Sequence, residues 1–252
     1  VALGYLVADA MTSGALNVII GAEAGNDLVS GTQNVLIGAY AGDAMAVGES
    51  YNVAIGVSAM SVADEGTAGG DIDYNIAIGK DALLGGDFAG NDRQFQGNIA
   101  IGAFALDATA ANAQTGTIAI GQDAAGAVID GTSNTVIGYA SLSGNTDGNN
   151  NVALGYYAGR QTQPGSASVT SPDGCVFIGY DARAYGATPN NQTVIGTDAQ
   201  GLADNSVTLG NTAVTAVYMS SDSGAVVHCA GIQFPATQVA NAGANVLDDY
   251  EE

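Results

Sequence analysis

The pentapeptide Asn52-Val53-Ala54-Ile55-Gly56 recurs in varied form through most of the chain up to Asn211. Its glycine returns as Gly4, Gly21, Gly38, Gly56, Gly79, Gly102, Gly121, Gly138, Gly155, Gly179, Gly196 and Gly210, at intervals of 17, 17, 18, 23, 23, 19, 17, 17, 24, 17 and 14 residues. A repeat of this length is one supersecondary unit, which buries its apolar face only by stacking on its neighbours. Positions are counted below from that glycine.

Position −1 is Ile or Leu in every repeat, and position −3 is Val or Ile apart from Thr135 and Thr193. Residues two apart share one face of a strand. Position −2 points the other way; it is often small, as in Ala54, Ala77, Ala100, Ala119 and Ala153, and never charged. Two apolar faces predict burial on both sides. A thin coil has room for one interior face, so the second needs a cover, and the simplest cover is another copy of the chain about a symmetry axis. The pattern leaves open which face is inside. The predicted fold is therefore all-β: a parallel β-roll or β-solenoid of about twelve short coils over residues 1–210, intertwined or packed as a homotrimer. At about 4.8 Å per coil this is a rod on the order of 55–60 Å long.

Position −4 is Asn17, Asn34, Asn52, Asn75, Asn98, Asn134 or Asn151 in seven repeats. Asn suits turns and, stacked in register, forms amide ladders; the functional alternative is a polar recognition row. The glycine fits a place needing positive φ or close backbone packing. Position +3 is Ala in nine repeats, from Ala24 to Ala199, which marks a second short strand or a corner where only a methyl fits. Positions +1 and +2 hold Tyr40, Phe104, Tyr139, Tyr156, Tyr157 and Tyr180. They read either as an outward row that binds sugar or as cover for apolar surface between coils. The long intervals place insertions at about 61–73, 84–97 and 160–173, on the rim of the coils.

Composition narrows the function classes. The 252 residues carry 25 acidic and four basic side chains, a formal net charge of −21. Nucleic-acid binding needs clustered Lys and Arg, so it is disfavoured, as are anionic membrane surfaces. No run of 18 apolar residues is present, so no membrane insertion is expected. The acidic surface keeps a long particle soluble. The chain begins without Met inside a repeat, which reads as a piece of a longer protein. Cys175, at an Asn position of the repeat, and Cys229 read as unpaired small residues, with a disulfide as the alternative.

No catalytic, cofactor or metal site emerges. Asp71-x-Asp73-x-Asn75 opens like a calcium loop, but Ile76 stands where glycine is needed and Ala82 where glutamate is needed. Loose Ca2+ binding by acidic rim loops stays open. One histidine, His228, and two distant cysteines make no zinc set or Ser-His-Asp triad. Nothing singles out a carboxylate pair for glycoside cleavage. Asn191-Gln192-Thr193 is a glycosylation sequon, relevant only in a eukaryotic secretory setting. The hexapeptide of left-handed β-helix acyltransferases fits Ile37 to Gly42 but is not sustained: Asp43 follows Ile37 by six residues, and Asn26 follows Ile20.

The pattern Asn-Val-Ala-Ile-Gly-x-x-Ala resembles the head repeat of YadA-like trimeric autotransporter adhesins over roughly residues 1–210. That resemblance implies a β-roll with three chains about one axis; the spacings here exceed that family's and imply larger outer loops. The stretch from Ser206 through Gly231-Ile232-Gln233-Phe234-Pro235 to Glu252 looks like a segment of phage tail-fibre proteins that follows a shaft and precedes a distal domain. It implies a short β transition over 211–240 and an acidic linker over 241–252, leading to a distal domain. The expected function is the non-enzymatic shaft of a phage tail fibre, extracellular on the virion. Its expected partners are other fibre proteins and, through the distal domain, a host cell-surface receptor. The alternatives are an adhesin head on a bacterial surface and a fibre-borne polysaccharide depolymerase.

Overall fold

The structure, a computed structural model, describes residues 1–63, 72–85, 94–109, 114–163, 165 and 167–217. The chain divides into Val1–Thr215 and Ala216–Glu252. Of the expected β transition over 211–240, the described residues 211–217 hold a turn and no strand; its remainder, with His228 and Cys229, and the acidic linker over 241–252 lie outside the described residues.

The described residues contain no helix. Their strands are β1 (Ala2–Leu3), β2 (Val18–Ile20), β3 (Val35–Ile37), β4 (Val53–Ile55), β5 (Ile76–Ile78), β6 (Phe95–Gln96), β7 (Ile99–Ile101), β8 (Gln114–Thr115), β9 (Ile118–Ile120), β10 (Thr135–Ile137), β11 (Val152–Leu154), β12 (Val176–Ile178), β13 (Gln192–Ile195) and β14 (Ser206–Leu209). Twelve of them form one parallel sheet in the order β1-β2-β3-β4-β5-β7-β9-β10-β11-β12-β13-β14. The remaining two, β6 and β8, pair with each other. The fold is thus a parallel β-solenoid of about eleven turns between twelve rungs. Register follows the repeat: Val53, Ala54 and Ile55 pair with Ile76, Ala77 and Ile78, although 23 residues separate them.

The sheet settles which face is inside. Position −2 is the interior one, and Ile19, Leu36, Ala54, Ala77, Ala100, Ala119, Val136, Ala153, Phe177 and Val194 are all buried. Positions −1 and −3 point out of the coil and are half-buried from β2 to β9. Interior volume is shared between positions −2 and +4. Where −2 is large, as in Ile19 and Leu36, position +4 is Gly25 or Gly42; a Cβ on Gly25 would stand 2.9 Å from a Leu36 methyl. Where −2 is Ala54, Ala77 or Ala100, position +4 is Met60, Leu83 or Leu106, each buried. The exchange runs from β2 to β7; farther along, Ala119 goes with Ala125 and Val136 with Leu142, all buried.

The corner after each strand is a turn, not the second strand that remained open from the alanine at +3; Ala24, Ala41, Ala59, Ala82, Ala105, Ala124, Ala158, Ala182 and Ala199 are buried there. Its backbone alternates direction. Ser58 at +2 (φ 56°) donates back to Ala39 at 2.9 Å, and Met60 at +4 (φ 54°) donates forward to Ala82 at 3.1 Å. Left-handed φ turns these N–H groups along the axis, so backbone polar groups find partners in the coils above and below. The repeat glycine closes the corner. Gly79 has φ 136°, and a Cβ on it would lie 2.6 Å from the Gly102 carbonyl.

Position −4 also faces inward, since it shares the parity of −2. Asn52 donates from Nδ2 to the Ile72 carbonyl at 2.6 Å. Its Oδ1 accepts the backbone N–H of Asn75 at 3.0 Å. The next rungs repeat this: Asn98 N–H reaches Asn75 Oδ1 at 3.0 Å, and Asn151 N–H reaches Asn134 Oδ1 at 3.0 Å. Asn34, Asn52, Asn75, Asn98, Asn134 and Asn151 are fully buried, so these side chains are an interior amide ladder and not an outward recognition row. The ladder thins at Thr117, whose hydroxyl sits 3.5 Å from both the Asn134 nitrogen and the Gly131 carbonyl. Cys175 continues it: its N–H donates to Asn151 Oδ1 at 2.8 Å and its sulfur accepts the Gln192 N–H at 3.4 Å. Burial, chiefly, pushes that thiol up.

Most of the expected insertion at 61–73 lies outside the described residues, whereas the described parts of the other two are more than rim loops. The one at 84–97 carries β6, whose Phe95 is fully buried. The one at 160–173 pairs Gln161 with Ser168 and buries Val169.

Candidate functional site

Three outer features follow from this frame. The first is the strip made by positions −1 and −3. Eleven consecutive rungs from β2 to β14 present two residues each, all Val, Ile or Leu except Thr135 and Thr193. The strip is about 55 Å long and about 10 Å wide, or roughly 550 Å², from the spacing of strands and side chains. That lies at the upper end of the apolar patches that monomeric proteins expose. Ile137 at its middle is 39% exposed.

The second feature is aromatic. Position +1 places Tyr139, Tyr156 and Tyr180 above one another. The Tyr139–Tyr156 ring centroids are 5.1 Å apart with planes at 14°, and those of Tyr156–Tyr180 are 5.5 Å apart at 9°. Tyr51 and Tyr74, both at position −5, stack at 4.8 Å. The rings are exposed and cover one another, so the two expectations for them meet: they lie outward, and most of their faces are spent on each other. Tyr157 sits beside the row, tilted 52° to Tyr139, with the Arg160 guanidinium 4.3 Å over its ring. The Tyr156 phenol is pushed up to about 12, first by its hydrogen bond with Tyr157.

The third is a cavity of about 360 Å³ at the corner, lined by Asp107, Asp123, Gly126, Ala127, Tyr139, Ala140, Ser143, Tyr157 and Arg160. These residues come from four successive coils, in columns at +1, +2, +5 and +6. Burial, chiefly, pushes the Asp107 carboxyl up to about 6, with repulsion from Asp123 and Asp81 adding to it. A matching acidic corner surrounds Asp43, also pushed up to about 6 by burial first, with Asp27 and Glu23 near it. A larger cavity of about 510 Å³ borders the last rung, between Gln163, Asp198, Leu202 and Asn211.

The sites weighed from sequence find these places. Asp73 Oδ1 accepts the Ser50 N–H at 2.7 Å and Asn75 is a ladder residue, while Asp71 lies outside the described residues. Among the described residues no group of three His, Cys, Asp or Glu side chains is placed to hold a metal. Asn191 is exposed at φ 49° and bonds Asn205. No described helix is long and apolar enough to cross a membrane. Sequence reasoning missed the cavity because it forms only when the coils are stacked in phase. The signal that could have found it is the column at +5, which runs Asp107, Gly126, Ser143, Arg160.

No family model, no curated protein and no solved structure matches the chain. The class is therefore defined by the fold alone: a parallel β-solenoid repeat protein.

Proposed function

We propose that this chain is the shaft of a viral tail fibre, in which three copies pack about a common axis through the outward strip and carry a receptor-binding tip. The strip carries this reading. A sheet face with two apolar residues on nearly every rung costs solubility unless it is covered. At roughly 550 Å² it has the scale of one partner's share of a modest interface. A second copy of the same chain carries the same strip with the same rung spacing, so a closed cyclic assembly covers every strip without leaving one open. The work is mechanical: backbone ladders, the interior amide column and the shared apolar core resist bending and proteolysis. The likeness of the C-terminal stretch to fibre segments supports the virion setting.

The oligomeric state tests the proposal. Mass photometry of the full chain is expected to give three chains per particle. Ile99→Lys and Ile120→Lys together are expected to release single chains that keep their β-sheet circular dichroism. A monodisperse wild-type monomer at micromolar concentration overturns it. For the setting, antibodies to the chain are expected to decorate virion tails; labelling confined to a bacterial surface favours the adhesin head instead.

A further inference from the structure

We propose that the corner cavity between Asp107, Asp123, Tyr139, Tyr157 and Arg160 is a carbohydrate site that takes one neutral pyranose unit of a glycan. This goes beyond the shaft reading and does not rest on it. The cavity uses positions +1, +2, +5 and +6, whereas the apolar strip uses −1 and −3.

The lining matches the chemistry of a sugar ring. The Asp123 carboxyl supplies acceptor oxygens and the Arg160 guanidinium only donates, while the Tyr139, Tyr157 and Ser143 hydroxyls do both. A pyranose presents several hydroxyls that donate and accept at once, so both kinds of group are served by one ligand. Arg160 is available for this. Lys80 pairs with Asp81 and Arg183 with Asp181, but among the described residues no carboxylate pairs with Arg160. Instead its guanidinium lies on the Tyr157 ring, which fixes its direction.

The aromatic stack supplies the apolar wall. Tyr156 covers one face of Tyr139, and Tyr180 continues the stack beyond Tyr156. On the opposite side the same position is Gln122, so no ring covers the other face of Tyr139. That face looks toward the coil of Asp123 and Gly126, where the Gln122 amide donates to Asp123 Oδ2 at 3.1 Å. The C–H face of a sugar ring packs on such a surface, as ligand sites combine aromatic walls with a few placed polar groups. Gly126 keeps the space open: a Cβ there would lie 3.2 Å from an Asp107 carboxylate oxygen. Two carboxylates at the site, on a chain of net charge −21, repel acidic sugars and select a neutral one.

The repeat provides its own control substitutions, because neighbouring coils already carry other residues at these positions. Arg160→Ser installs the residue of Ser143, Tyr157→Ala that of Ala140 and Tyr139→Gln that of Gln122. Saturation-transfer NMR on the full chain uses the methyl glycosides of glucose, galactose, mannose and N-acetylglucosamine at about 10 mM, suited to a millimolar site. At least one is expected to receive saturation at its ring protons, and each variant is expected to reduce that signal about tenfold, as loss of a charge-assisted bond or a stacked ring does, with unchanged thermal melting. Absence of transfer to all four sugars overturns the proposal. So does transfer that persists in all three variants, or stronger transfer to methyl glucuronide than to any neutral sugar.

Discussion

Replacing Asn52 with alanine isolates what the interior ladder contributes. The substitution removes the Nδ2 donor from the Ile72 carbonyl and the Oδ1 acceptor from the Asn75 N–H. Asn52 and Asn75 are fully buried and Ile72 nearly so, which leaves water no route to the two abandoned groups. Each buried group without a partner costs about 1–3 kcal/mol, so Asn52→Ala is expected to destabilise the solenoid by about 2–6 kcal/mol. Nearest-neighbour stacking confines the damage to adjoining coils, so one melting temperature does not report it fully. Hydrogen exchange is the better assay. The Asn75 amide and those of β4 and β5 are expected to lose protection by a factor on the order of a thousand, since ~1.4 kcal/mol is tenfold. The coils around β12 and β13 are expected to keep theirs. Exposed Gln122→Ala serves as a control with no measurable change. Asn52→Ala with wild-type protection at Asn75 refutes the claim that the amide column holds the coils together.

Thr117→Asn is expected to stabilise by about 1 kcal/mol in a melt, because the hydroxyl now sits 3.5 Å from both groups that an amide reaches in other rungs. Gly79→Ala sets a Cβ against the Gly102 carbonyl at positive φ and is expected to cost more than about 3 kcal/mol, seen as loss of soluble protein. Asp43 has a folded pKa of about 6, above its unfolded value of about 4, so its contribution to stability is present below pH 4 and is lost as pH rises through 6. Asp43→Asn is therefore expected to flatten the stability profile over that window. It is expected to add about 1–2 kcal/mol at pH 7, a figure reduced for solvent screening of a partly exposed carboxyl.

The repeat and its strand were legible because Ile or Leu at −1 and glycine at 0 recur whatever the interval. The stacking direction was legible too, since a parallel rung is the only way to place such strands in phase. The orientation of the strand was not read, although its signal was present: positions −4 and −2 share parity, so an inward amide column carries the alanines inward with it. The corner was illegible for a different reason. Left-handed φ falls on Glu23, Tyr40, Ser58, Asp81 and Phe104 at position +2, residue types that carry no common mark. What holds them there is the ladder of N–H groups from neighbouring coils, which no single repeat contains. The volume exchange between Leu36 and Gly42, or Ala77 and Leu83, was visible in principle as a correlation between columns.

Coils of 17, 18, 19, 23 and 24 residues stand side by side with their strands in the same phase. All the variation in length is absorbed away from the strand, the glycine and the corner that follows it. Most chains pay for an insertion with a shift of everything downstream; this one resets its phase at every glycine. A lineage carrying it can lengthen one coil, or duplicate a whole one, and meet no penalty beyond the new residues themselves. The particle's length and the decoration of its sides are thereby free to evolve separately.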